Sequence, residues 1–270
     1  MITIKPQLIT AIAIKNLKIK LRSYQTYLYA LGFPVLFTFI FYFVFKTIEV
    51  DLGFNVFDLA FSSVLIYTAS FGTISAAVSL TSEKQLGTLM RLDTTPVGRA
   101  RIFLGTLLSE SIFLIIQLFI IVLLGYGLFQ VQWLDNDLFL LFIGFIFVFL
   151  FGLSTLGIGI VISAYAKTAD SATGLSMSYI MPVLFLSGIL IPFESPIVYI
   201  CPPFWANQIY QQVVILGDNL FLDGIRYNSI NIFTAGYSII PLWVGLLIII
   251  GITCISLYIG IRLFQRKTLT

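Results

Sequence analysis

Residues 138–163 read LFLLFIGFIFVFLFGLSTLGIGIVIS, and no charged side chain occurs between Asp137 and Lys167. At 1.5 Å rise per residue, about 20 helical residues cross the roughly 30 Å hydrocarbon core of a bilayer, so this run is long enough to span it. A helix also satisfies its own backbone hydrogen bonds, which lipid cannot do for it. The stretch therefore predicts a transmembrane helix.

Outward from it the same pattern recurs at 26–46, 56–80, 106–129, 173–192 and 240–262. The block at 173–192 is the most interrupted, with Pro182 inside it and Gly188 and Pro192 at its end. Six such blocks predict an all-α membrane protein whose 270 residues form a single transmembrane domain. Composition agrees: 59% of residues are hydrophobic and only 10% charged, against about 25% charged in soluble domains. The 26 Phe and 13 Tyr suit long apolar helices with aromatic residues at their ends.

Basic residues in short loops set the orientation. With both termini in the cytoplasm, all of the 15 Lys and Arg except Lys46 and Arg226 fall on the inner side. The outer loops then collect Glu49, Asp51, Asp58, Asp135, Asp137, Glu194, Asp218 and Asp223. The expected location is the cell membrane, crossed several times, with no nucleic-acid partner. Lys15, Lys18, Lys20 and Arg22 interrupt the first apolar run, so the N-terminal segment is not expected to be a cleaved signal peptide.

Three stretches between the blocks carry more than linkers need. Residues 4–22 pattern as an amphipathic helix, with Ile4, Leu8, Ile12 and Ile19 toward one side and Lys15 and Lys18 toward the other. Such a helix would lie along the inner leaflet and meet anionic lipid or a cytoplasmic partner. Residues 81–105, TSEKQLGTLMRLDTTPVGRARIFLG, form the longest inner loop. Ser82 with Gln85 has the form of a capping box and predicts a short helix to about Leu92. Thr95-Pro96 then reads as a cap and first-turn proline that restart a helix into the third span. Residues 192–216 are apolar but broken by Pro196, Pro202 and Pro203, which predicts two short helices dipping into the outer leaflet. Tyr199, Trp205 and Tyr210 are expected at the outer interface.

The inventory of reactive groups narrows the function. The chain has no His and two cysteines, Cys201 and Cys254, placed near opposite membrane faces. No catalytic, cofactor-binding or metal-ligating set is expected, and an enzyme of the acyl-transfer or hydrolytic kind is disfavoured. A G-x-x-x-x-G-K-[ST] phosphate loop is absent from the sequence, so the chain cannot bind ATP in the P-loop manner. Ion-coupled carriers place ionisable groups deep in their spans. Here only Glu110, about one turn into the third span, is a candidate, and it is expected near Arg99 or Arg101 at the inner interface. The hydroxyl-rich second span (Ser62, Ser63, Thr68, Ser70, Thr73, Ser75, Ser79) reads as close helix packing.

The 81–105 and 182–212 stretches also carry a resemblance. Glu83, then Gly87-Thr88, then Thr95-Pro96, followed by Arg99 and Gly105, stand between the second and third spans. Leu186-Ser187-Gly188-Ile189-Leu190-Ile191-Pro192 follows the fifth. In this order and sidedness the chain resembles the type-2 permease family of ATP-binding-cassette exporters over nearly its whole length. Arg91 departs from the pattern, which often has an acidic residue there. The resemblance implies a dimeric permease, made with a second copy or a paralogue, and a separate ATPase subunit that holds ATP and Mg. It also implies a coupling helix at 82–92 bearing Glu83, Gly87, Thr88 and Arg91, with Thr95 and Pro96 beyond it. Gly188, Pro192, Pro196, Pro202 and Pro203 would shape the re-entrant outer segment. The exported substrate would be hydrophobic or amphipathic, a drug-like compound or a lipid. A secondary carrier and a non-transporting scaffold or immunity protein of the same fold are the competing readings.

Overall fold

The computed structural model describes residues 6–22, 31–48, 55–87, 99–132, 138–190, 196–215 and 242–267. Among these residues the regular structure is helical. In chain order the helices are α1 (Pro6–Arg22), α2 (Phe33–Phe45), α3 (Val56–Ser70), α4 (Gly72–Gln85), α5 (Arg99–Leu123), α6 (Leu138–Tyr165), α7 (Ala169–Leu186), α8 (Pro202–Tyr210) and α9 (Leu242–Lys267).

Among the described residues four helical stretches are long and apolar enough to cross a membrane: Val56–Gln85, Ile102–Leu128, Leu138–Tyr165 and Trp243–Leu263. α2 is a shorter apolar helix within the block expected at 26–46. α7 covers most of the block expected at 173–192 but begins earlier and ends at Leu186, its first ten residues carrying Asp170, Ser171, Thr173, Ser176 and Ser178. The bundle's exterior is apolar, with Phe43, Phe119, Leu123, Phe139, Phe142, Leu247 and Ile255 exposed. Hydroxyls and amides lie inside. That inversion of the usual soluble pattern fits an apolar solvent.

The Val56–Gln85 stretch is the centre of the bundle, 78% of its apolar window being buried against 28–39% in the other three. It bends at Phe71, where α3 gives way to α4 and the Phe71 amide is shared between the Tyr67 and Thr68 carbonyls. α4 packs on α6 and α7, α6 on α9, and α1 on α5. The hydroxyls of the second block do what close packing requires. Thr68 and Ser70 donate back to carbonyls one turn earlier, at 2.7 and 2.8 Å. Thr73 donates to the Thr155 carbonyl (3.1 Å) and Thr155 to that of Ala69 (2.8 Å), stitching α3, α4 and α6 together. Gly159 lets this crossing close: a Cβ there would stand 2.3 Å from the Thr73 carbonyl oxygen.

The structure corrects several expectations. Ser82 does not open a new helix; α4 runs through it to Gln85 and ends at Leu86 and Gly87. No breaker precedes Gly87, whose φ of +65° closes the helix in the left-handed conformation that glycine adopts most freely. Trp205 and Tyr210, expected at the outer interface, are turned into the bundle and fully buried. α8 slots between α3, α6 and α9, with Gly245 opposite Trp205 and Gly144 opposite Tyr210. On α1 the inward face is Ala13, Asn16 and Lys20, while Ile19 is 57% exposed.

Candidate functional site

The residues singled out for the inner loop begin at the end of α4. Glu83, in its last turn, accepts a hydrogen bond and ion pair from Lys15 Nζ of α1 at 2.9 Å. Next to it the Lys84 ammonium donates to the Ser163 carbonyl of α6. Gln85 Oε1 accepts from the Ala169 amide at the start of α7, at 3.0 Å. The last turn of α4 is thereby tied to three other helices just before the chain enters the loop. Thr88, Arg91, Thr95 and Pro96 lie outside the described residues.

One turn deeper lies a second charged contact. Glu110 of α5, expected near Arg99 or Arg101, reaches α1 and α4. Its Oε2 takes the Lys20 ammonium of α1 and the Ser75 hydroxyl of α4, the latter at 2.8 Å. Lys20 also donates to Ser75 (2.6 Å) and stands 5.0 Å from the centre of the Phe113 ring. The Lys20 side chain is 11% exposed and that of Glu110 1%. Below them Asn16 donates to Thr106 at 3.2 Å. Lys15, Asn16, Lys20, Ser75 and Thr106 were not singled out as a site. The available signal was the equal spacing of Asn16 and Lys20 on one helix and Thr106 and Glu110 on another.

At the opposite end the segment expected on the outer side folds as short pieces. Gly188, at φ +73°, follows the end of α7 and is buried. Pro192 lies outside the described residues, Pro196 opens a short 3-10 turn to Ile200, and Pro202 and Pro203 occupy the first two positions of α8. There proline loses no needed donor and its fixed φ suits the helix. Trp205 donates to the Tyr199 carbonyl (2.8 Å), fastening α8 to the 3-10 turn. Asn207 accepts from Ser62 (2.7 Å), Gln211 donates to the Leu59 carbonyl (3.0 Å), and the Tyr126 and Tyr210 hydroxyls share a 2.8 Å bond. Asp58 closes this end, accepting from the Asn55 and Gln132 amides at 2.9 and 3.0 Å. Burial pushes the Cys201 thiol above its ordinary value, which keeps it protonated and unreactive at neutral pH.

No group of three or more His, Cys, Asp or Glu gathers among the described residues. What the arrangement offers is mechanical. A central bent helix pair is clamped to α1 at one end by the Lys15–Glu83 ion pair and at the other by a short helix wedged into the bundle.

The helices and their inverted polarity define a multi-pass helical membrane protein. Residues 7–215 match the ABC-2 type transporter family, and the chain belongs to that family as a membrane subunit of an ABC transporter. It is 27% identical over 136 residues to the Escherichia coli (strain K12) protein named "Probable multidrug ABC transporter permease YbhR". The protein of the same name from Escherichia coli O157:H7 matches equally. The aligned stretch takes in 50% of this chain and 36% of the relative's length.

Proposed function

We propose that this chain is the permease subunit of an ATP-driven exporter, working as a dimer with a second copy or a paralogue. A separate ABC ATPase would hold ATP and Mg. The observation that carries this reading is the family match over residues 7–215, which takes in α1 to α8 and both stretches that bear the resemblance. The charge inventory supports it. Glu110, the candidate ion-coupling group, is engaged by Lys20 and Ser75, so the driving force is best sought in a partner subunit.

In this reading the inner side is the α1 end. The segment from Gly87 through Thr88, Arg91, Thr95 and Pro96 seats in the ATPase, and Glu83 anchors its near end to α1. Closure of the ATPases pulls on α4, which packs along α6 and α7 and so carries the motion into the bundle. α7 turns Asp170, Gly174, Ser178 and Pro182 outward. The same helix also exposes Leu175, Phe185 and Leu186, so its outward side is mixed, and the small and polar positions there leave room for a second permease to pack closely. The apolar surroundings and the relative's multidrug name favour a hydrophobic or amphipathic substrate, released on the outer side.

The test is purification of the tagged chain from its native membranes in mild detergent. An ATPase subunit should copurify, and Pro96→Ala with Thr95→Ala should weaken its retention without reducing membrane insertion. Recovery of a functional carrier with no ATPase, driven by a proton gradient and abolished by an uncoupler, would replace this reading with that of a secondary carrier.

A further inference from the structure

α1 is held to the bundle by two lysines that reach two different helices, Lys15 to Glu83 on α4 and Lys20 to Glu110 on α5. Its contact with α5 has a fixed register. Asn16 meets Thr106 and Lys20 meets Glu110, each partner 90 positions further along the chain. The two helices therefore run in the same direction here, and polar pairs recur one turn apart. Their backbones come close at Gly105, where a Cβ would stand 2.8 Å from Ile12 and 3.1 Å from the Ile9 carbonyl oxygen.

The rest of α1's inward face is small or aliphatic, with Ala13 buried about one turn before Asn16. Such a surface distinguishes poorly between the observed register and one shifted by a turn, about 5.4 Å. The charges do distinguish them. Shifted by one turn, Lys20 would lie beside Thr106 or Leu114 instead of Glu110, and a carboxylate and an ammonium would each be left without a counter-charge in apolar surroundings. A buried ion pair adds little net stability over apolar residues of similar size, but losing one partner is severe. That combination selects an arrangement rather than strengthening it.

We infer that Lys20 and Glu110, with Ser75, are positioning residues that lock the register of α1 on α5 and thereby hold Lys15 against Glu83. The lock acts on α1 whatever the transported solute, so its test does not depend on transport.

Cysteine cross-linking in isolated membranes reads the register directly, in a chain with Cys201→Ala and Cys254→Ala. Asn16→Cys with Thr106→Cys should cross-link readily, and Asn16→Cys with Ile102→Cys, one turn away, should not. Adding Lys20→Met or Glu110→Gln alone should slow the first cross-link on the order of 100-fold, the scale of a broken buried pair. Lys20→Arg, or the swap Lys20→Glu with Glu110→Lys, should restore it. Should the single variants fail to insert, the doubly apolar Lys20→Met/Glu110→Met chain decides. It should accumulate like the parent yet cross-link at both 106 and 102. Single variants that keep the parental rate would overturn the lock. So would a doubly apolar chain that cross-links at 106 alone, or failure of both restoring variants.

Discussion

The crossing of α4 and α6 gives the sharpest stability test. Replacing Gly159 with Ala puts a methyl group 2.3 Å from the Thr73 carbonyl oxygen and 3.0 Å from the Ala76 side chain, where ordinary contact begins at 3.4 Å. The obstacle is backbone, so no rotamer change relieves it, and the helices must part by roughly 1 Å. A gap of that size forfeits a quarter to a half of the dispersion attraction of the atoms that separate. It also stretches the Thr73–Thr155 and Thr155–Ala69 hydrogen bonds that cross the same junction. Overpacking of this kind costs about 1–3 kcal/mol, and two weakened bonds add about 1 kcal/mol each. Against this stands a gain of about 0.5–1 kcal/mol for Ala over Gly within a helix. The net expectation is a loss of about 2–4 kcal/mol. Gly174→Ala on α7 is the matched control, because a Cβ there meets nothing within 4 Å, and it should be neutral or stabilising by up to about 1 kcal/mol. Reversible unfolding of both variants in mixed micelles would measure the difference. Equal stability of Gly159→Ala and Gly174→Ala would refute the close backbone crossing.

Other expectations follow from single contacts. Gly87→Val should cost about 1–2 kcal/mol, because its φ of +65° is strained for a side-chain-bearing residue; faster hydrogen exchange in the last turn of α4, with the rest of the bundle unchanged, would mark it. Asp58→Ala frees the Asn55 and Gln132 amides at the start of α3 and should lower stability by about 1–3 kcal/mol, read by thermal unfolding. Ser62→Ala removes the donor to the buried Asn207, and its cost of about 1–3 kcal/mol should largely vanish when Asn207→Leu is added. Cys201, buried and with its thiol pushed up, should react with maleimide slowly at neutral pH and rapidly only on unfolding or well above pH 9.

The spans that were plainest in the sequence are those whose cause is local. Leu138–Tyr165 needs only an unbroken apolar run, and α8 starts where Pro202 and Pro203 dictate. What was misread depends on context beyond the short pattern, and in part on residues far apart in the chain. The Ser82–Gln85 pattern looks like a helix start, but nothing stops the helix arriving from Gly72, and Gly87 supplies the stop. Trp205 and Tyr210 have the amphipathic character of interface residues, yet glycines at 245 and 144 open room for them inside. Glu110 was visible as the odd carboxylate in the third span. Its partner lies 90 residues earlier on a helix that looked like a surface anchor, and no short-range pattern announces that pairing.

The claim on which the functional account rests is that this chain moves solute only with energy from another subunit. Reconstituting it with its copurifying ATPase in sealed vesicles, and following a lipophilic fluorescent dye, tests this most directly. Transport should require ATP and Mg and cease when the ATPase is inactivated. Concentrative transport by this chain alone, in vesicles without nucleotide, would contradict it.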